Sequence, residues 1–146
     1  MKKLIRILCI IMTVGLLFAI PAYADATSTY SSIFFHSYDS AMYNTSGSTI
    51  EIWFDVVSNG TMEELGVSSI ELQCCPNGNN WTTVKTFLPE DYTQMVCKNT
   101  FAVYDCVTYT GMYDYSYRAY VTFYAKNSRG EGYANQYSET IYIPMP

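Results

Sequence analysis

Alternation between apolar and polar residues is the strongest signal along this chain. Ile50, Ile52, Phe54 and Val56 alternate with Glu51, Trp53 and Asp55, the period of a strand that buries one face. The same period predicts a strand over 67–75, with Ile70, Leu72 and Cys74 on one side and Glu71, Gln73 and Cys75 on the other. The longest run covers 115–126. There Tyr117, Ala119, Val121, Phe123 and Ala125 face inward, while Arg118, Tyr120, Thr122, Tyr124 and Lys126 face outward. Weaker patterns place strands at 30–38, 81–87, 101–110 and 136–143, the last with Ile141 and Ile143 inward.

Turn chemistry separates these segments. Asn44-Thr45-Ser46-Gly47, Asn59-Gly60, Pro76-Asn77-Gly78-Asn79-Asn80 and Asn127-Ser128-Arg129-Gly130 each combine residues that tolerate tight or left-handed backbone. Pro89 marks a loop over 88–92, and Pro144 and Pro146 stop the last strand. About seven strands, punctuated roughly every 8–15 residues and lacking helical crossovers, predict an all-β fold. The expected architecture is an antiparallel two-sheet sandwich. An aromatic content of 16%, most of it the 15 tyrosines, agrees with half-buried pleated surfaces.

The beginning of the chain has a different character. Lys2, Lys3 and Arg6 precede an apolar core over 7–20, and Ala22-Tyr23-Ala24 puts small residues at the −3 and −1 positions. That is an export signal cleaved before Asp25; its core is short against the ~20 residues that a membrane span needs. The expected organisation is a signal peptide at 1–24, a flexible lead and first strand at 25–46, and the rest of one β-sandwich domain at 47–146. No second segment of spanning length follows, so the expected destination is extracellular. Loss of Lys2, Lys3 and Arg6 leaves five basic against 13 acidic residues, a net charge of −8. Such a surface repels nucleic acid and anionic membranes.

Several runs carry a resemblance. Tyr115-x-Tyr117-Arg118-x-Tyr120-Val121, Asn127-Ser128-x-Gly130 and Ser138-x-Thr140-Ile141-x-Ile143 resemble the last two strands of a fibronectin type III or immunoglobulin-like module. Gly66-Val67-Ser68-Ser69-Ile70, Trp81-Thr82-Thr83-Val84 and Tyr109-Thr110-Gly111 resemble short secreted bacterial proteins of uncharacterised function. The resemblance spans 47–143. Its motifs concern packing and turns, so it implies a fold and transfers no catalytic residue.

Four cysteines follow the export segment: Cys74, Cys75, Cys97 and Cys106. An even number in an exported chain suggests disulfides. Joining Cys97 to Cys106 would leave Cys74 with its own neighbour, whose side chain points to the opposite face of a strand. Complete pairing therefore joins Cys74 and Cys75 to the other two. Cys74–Cys97 with Cys75–Cys106 is the first choice, and the exchanged pairing is the alternative. Each closed loop would stabilise by roughly 3–4 kcal/mol. A four-thiolate zinc site fits poorly, because its knuckles need two to four spacer residues, and no metal or other cofactor is expected.

Catalytic equipment is sparse. His36 is the only histidine, and neither a nucleophile elbow, a P-loop nor a dinucleotide fingerprint occurs. Glu51 and Asp55 are two pleats apart, ~13 Å along a strand, whereas glycosidase carboxylates need roughly 5–10 Å and a cleft. The expected function is instead a non-catalytic binding or adhesion module. Its candidate contacts on an extracellular glycan or protein are Arg118, Tyr120, Tyr124 and Tyr142 on one face, and Trp53 on another. The alternative is an exported structural or self-associating protein joined through a cysteine or an open sheet edge.

Overall fold

A computed structural model describes residues 33–76 and 78–146 of the chain. The predicted export signal lies outside the described residues. Within them the protein is all-β, with strands β1 (Phe35–Ser46), β2 (Thr49–Cys75), β3 (Thr82–Phe87), β4 (Val96–Thr110), β5 (Tyr115–Asn127), β6 (Gly130–Tyr137) and β7 (Ile141–Ile143). One short 3-10 turn, Thr93–Met95, leads into β4. The seven strands form one curled antiparallel sheet.

β2 is the spine of that sheet. It runs unbroken for 27 residues, several times the common strand length of ~5–6. Its first half pairs with β1 on one edge and β4 on the other, as when Ile52 opposes both Met42 and Val107. Its second half pairs with β5 and β3, so Leu72 opposes Ala119 and Lys85. The hand-over occurs at Glu64, Leu65 and Gly66, where β4 and β5 occupy the two edges together. Beyond β5, β6 pairs with its 120–127 segment and β7 with its 115–117 segment.

The curl follows from burial. Ile50, Ile52, Phe54 and Val56 from the first half of β2, and Tyr117, Ala119, Val121, Phe123 and Ala125 from β5, are all at most 1% exposed. Folding the sheet on itself removes both apolar faces from water at once. β1 thereby reaches the far side: Tyr38 stacks on Phe123 at 4.9 Å, and Ser138 Oγ donates to Met42 Sδ at 3.0 Å.

Four sequence expectations need correction. Asn59-Gly60 does not turn the chain, and β2 passes through it. A register shift between Val57 and Met62 absorbs the extra residues. Ser58 holds that stretch in line by donating to Gly60 O and Phe101 O, and Asn99 takes a left-handed backbone (φ 53°) on the facing strand. The first strand among the described residues is Phe35–Ser46 and runs well past the expected end at 38, which shrinks the turn to Gly47 and Ser48. The closing strand is two strands. Ser138 interrupts it by donating its N–H to Ala119 O and accepting from Ala119 N–H through Oγ.

The cysteine pairings are the fourth. Cys74 and Cys75 sit opposite Tyr117 and Ser116, whereas Cys97 sits opposite Leu65 and Cys106 opposite Trp53. Cys74 and Cys97 are thus nine strand positions apart, on the order of 25–30 Å, far beyond disulfide reach. All four thiols are free. Burial, with Cys75 alongside, pushes the Cys74 thiol up from its ordinary pKa, which makes it a poor nucleophile.

Gly66 is the tightest point of the spine. A Cβ there would lie 1.9 Å from the Met95 carbonyl oxygen, in a backbone conformation (φ +152°) that side chains disfavour. Gly66→Ala is expected to destabilise the fold by roughly 3 kcal/mol, read as a lowered urea midpoint. Wild-type stability would show that the hand-over is not close-packed.

Candidate functional site

The outward face of β5 is an aromatic surface organised around one cation. Arg118, opposite Gln73, donates from Nε to Gln73 Oε1 at 2.8 Å. That bond fixes the guanidinium between two rings: its carbon lies 4.3 Å from the centroid of Trp81 and 4.5 Å from that of Tyr137. Stacking of this kind immobilises a side chain that would otherwise be costly to order. Tyr120 extends the platform by packing on Tyr137, its cross-strand neighbour, at 4.7 Å.

Farther along the same face, Tyr124 packs on Tyr133 at 5.3 Å. The Tyr124 hydroxyl donates to Glu64 Oε2 at 3.1 Å, and the Tyr133 hydroxyl donates to Glu131 Oε2 at 3.2 Å. These rings wall a cleft of about 340 Å³, completed by Ser68, Leu88, Pro89 and Glu90. Its size falls within the range of small-ligand pockets, ~300–1,000 Å³.

The sequence-predicted residues are distributed over three places. Arg118 and Tyr120 share the platform, and Tyr124 belongs to the adjoining cleft. Tyr142 stands at the far end, opposite Ser116, where its exposed hydroxyl donates to Asp114 Oδ1 at 2.6 Å. Trp53 lies on the outer face of the β1–β2–β4 region, stacked on Tyr104 at 5.1 Å and donating from Nε1 to Glu51 Oε2 at 3.0 Å. The cleft beside it, flanked by Tyr43 and Asp55, measures only about 190 Å³, below the range for such ligands. His36 is exposed.

Comparison with protein-family models, curated proteins and solved structures gave no match. The case for a site therefore rests on geometry. Three of its side chains, Trp81, Tyr133 and Tyr137, escape sequence reasoning. Trp81 reads as the start of a hairpin strand, and β6 is diluted by Gly130, Gly132 and Asn135, residues depleted in strands. The period-two spacing of Tyr133, Asn135 and Tyr137 is the signal that could have found two of them.

The Tyr124 phenol is held well above its ordinary pKa, first by burial and then by its hydrogen bond to the Glu64 carboxylate. A raised pKa means that the neutral phenol stabilises the fold below about pH 10, and that this stabilisation is lost as pH climbs toward the folded-state value. Alkaline spectrophotometric titration is expected to show Tyr124 ionising well above the ordinary phenol range, and Glu64→Gln should lower its midpoint. Titration unchanged by Glu64→Gln would remove the hydrogen bond from this account.

Proposed function

We propose that the protein is a secreted, non-catalytic binding module that receives its ligand on the Arg118 platform. The observation that carries this reading is the guanidinium stacked between Trp81 and Tyr137, with Tyr120 continuing the surface. A rigid array of rings around a fixed donor suits the apolar face of a sugar ring or an aromatic side chain of a protein partner. It orders few groups on binding, so little entropy opposes association. Export before Asp25 belongs to the same proposal and is supported by the spacing of the signal.

The sandwich of fibronectin type III or immunoglobulin type is also part of it. What supports that assignment is the folding of β1 over β5 and the hydroxyl of Tyr117, near the start of β5. That hydroxyl accepts from the backbone N–H of Met112, five residues upstream, at 2.7 Å, as tyrosine corners do in such modules.

A second reading, self-association, is favoured by β4. Among the described residues this 15-residue strand pairs with β2 alone, and Phe101 and Tyr104 on it are 62% and 68% exposed. Long open edges with exposed aromatics are templates for pairing.

Retention on a panel of immobilised polysaccharides and cell-wall fractions tests the first reading. Tyr120→Ala combined with Tyr137→Ala should weaken retention at least about tenfold with the fold intact, whereas unchanged retention eliminates the platform. Sedimentation of the same preparations at micromolar concentrations should show monomers; dimers would favour the β4 edge.

A further inference from the structure

With β2 on one side of it and no strand on the other among the described residues, β4 turns the N–H and C=O of every second residue away from the sheet. Side-chain bonds tell which residues these are. Phe101 O accepts from Ser58 Oγ on β2, and the register from Ala102 to Thr110 is unbroken. Val103, Asp105 and Val107 therefore bond toward β2, whereas Ala102, Tyr104 and Cys106 present their backbone groups at the open edge. The other side of β2 agrees. Phe54 opposes Asp105 on one edge and Ser40 on the other, and the Ser40 N–H, which the same alternation turns away from β2, donates to Asp39 Oδ1 at 2.8 Å.

At two of the three outward residues of β4, side chains occupy both backbone groups. Thr100 Oγ1 donates to Ala102 O at 2.9 Å and accepts from the Ala102 N–H at 3.3 Å. The Cys106 N–H donates to Asp105 Oδ1 at 2.7 Å, and Cys106 O accepts from Gln94 Nε2 at 3.4 Å. Asp105 itself breaks the strand pattern. It holds an inward position between Val103 and Val107, both buried, where alternation calls for an apolar residue. An inward charge weakens packing but obstructs the addition of a further strand at an edge. An added strand would bond to Ala102, Tyr104 and Cys106 in turn, and it finds only Tyr104 without a side chain on its backbone. A second copy pairing antiparallel in the register centred on Tyr104 would also set the two Asp105 side chains on a diagonal of ~7–8 Å, like charge toward like charge.

We infer that Gln94, Thr100 and Asp105 close the open edge of β4 to a second copy of this chain. The length and exposure of β4 make pairing the hazard, and these three side chains oppose it by occupying the groups that a partner strand would use. Self-association through this edge requires their displacement. The inference is independent of the Arg118 platform, which lies on β5.

The test is sedimentation velocity at micromolar concentrations, with a thiol reductant present so that the free cysteines form no covalent dimer. The wild type is expected to be monomeric, and Thr100→Val combined with Asp105→Val to form dimers or larger species. Valine suits a strand, and at position 105 it restores the apolar alternation. Tyr104→Lys added to that pair should return the monomer, because a charge at the centre of the edge again opposes pairing. Amide hydrogen exchange reads the same bonds without assembly. In the wild type, Ala102 and Cys106 should exchange about fivefold more slowly than Tyr104, although all three amides point off the edge. Thr100→Val alone should release Ala102 and leave Cys106 slow. A dimeric wild type, a natively folded double variant that stays monomeric, dimers that persist with Tyr104→Lys, or Ala102 and Cys106 exchanging as fast as Tyr104 would overturn the inference.

Discussion

The backbone of β2 is the constraint on which the rest of the structure depends. β1, β3, β4 and β5 all hydrogen-bond to it, and β6 and β7 join the sheet by pairing with β5. At Glu64, Leu65 and Gly66 both of its edges are taken at once. No side chain can intrude between the backbones there, which is why glycine stands under the Met95 carbonyl. A chain that failed to extend through this point would yield two smaller sheets, each leaving a bare apolar face in water.

That one strand also sets what faces outward. Because side chains alternate, burying Ile50, Ile52, Phe54 and Val56 obliges Glu51, Trp53 and Asp55 to line the outside of one half. Burying Ile70, Leu72 and Cys74 likewise brings Gln73 beneath Arg118 on the other. The Arg118 platform is thus a by-product of core register, made rigid by one hydrogen bond and two ring contacts. Curling then brings β1 beside β6, and the amide of Gln136 reaches Asp39 across the seam.

Much of the core was legible in the sequence, because period-two burial is local. The inward sets of β2 and β5, and the outward placement of Arg118, Tyr120 and Tyr124, follow from alternation alone. The path of the chain through Asn59-Gly60 was not legible. Those residues favour a turn in isolation, and only the tertiary bonds of Ser58 to Gly60 O and Phe101 O, with the register shift against β4, keep the strand extended. Pairing partners were likewise hidden. Tyr142 is a plausible neighbour of Tyr120 by strand order, yet the break at Ser138 hands that position to Tyr137. The cysteines illustrate the same limit. Counting restricts their connectivity, whereas the register along β2 and β4 decides their separation.

The most direct test of β2 as a single load-carrying strand is native-state hydrogen exchange across residues 49–75. The expected result is one block of slow amides that includes 58–66 and opens only with global unfolding. Fast exchange at 58–66, with the two flanking halves opening independently, would mean that Asn59-Gly60 is a turn after all and that the continuous spine does not exist.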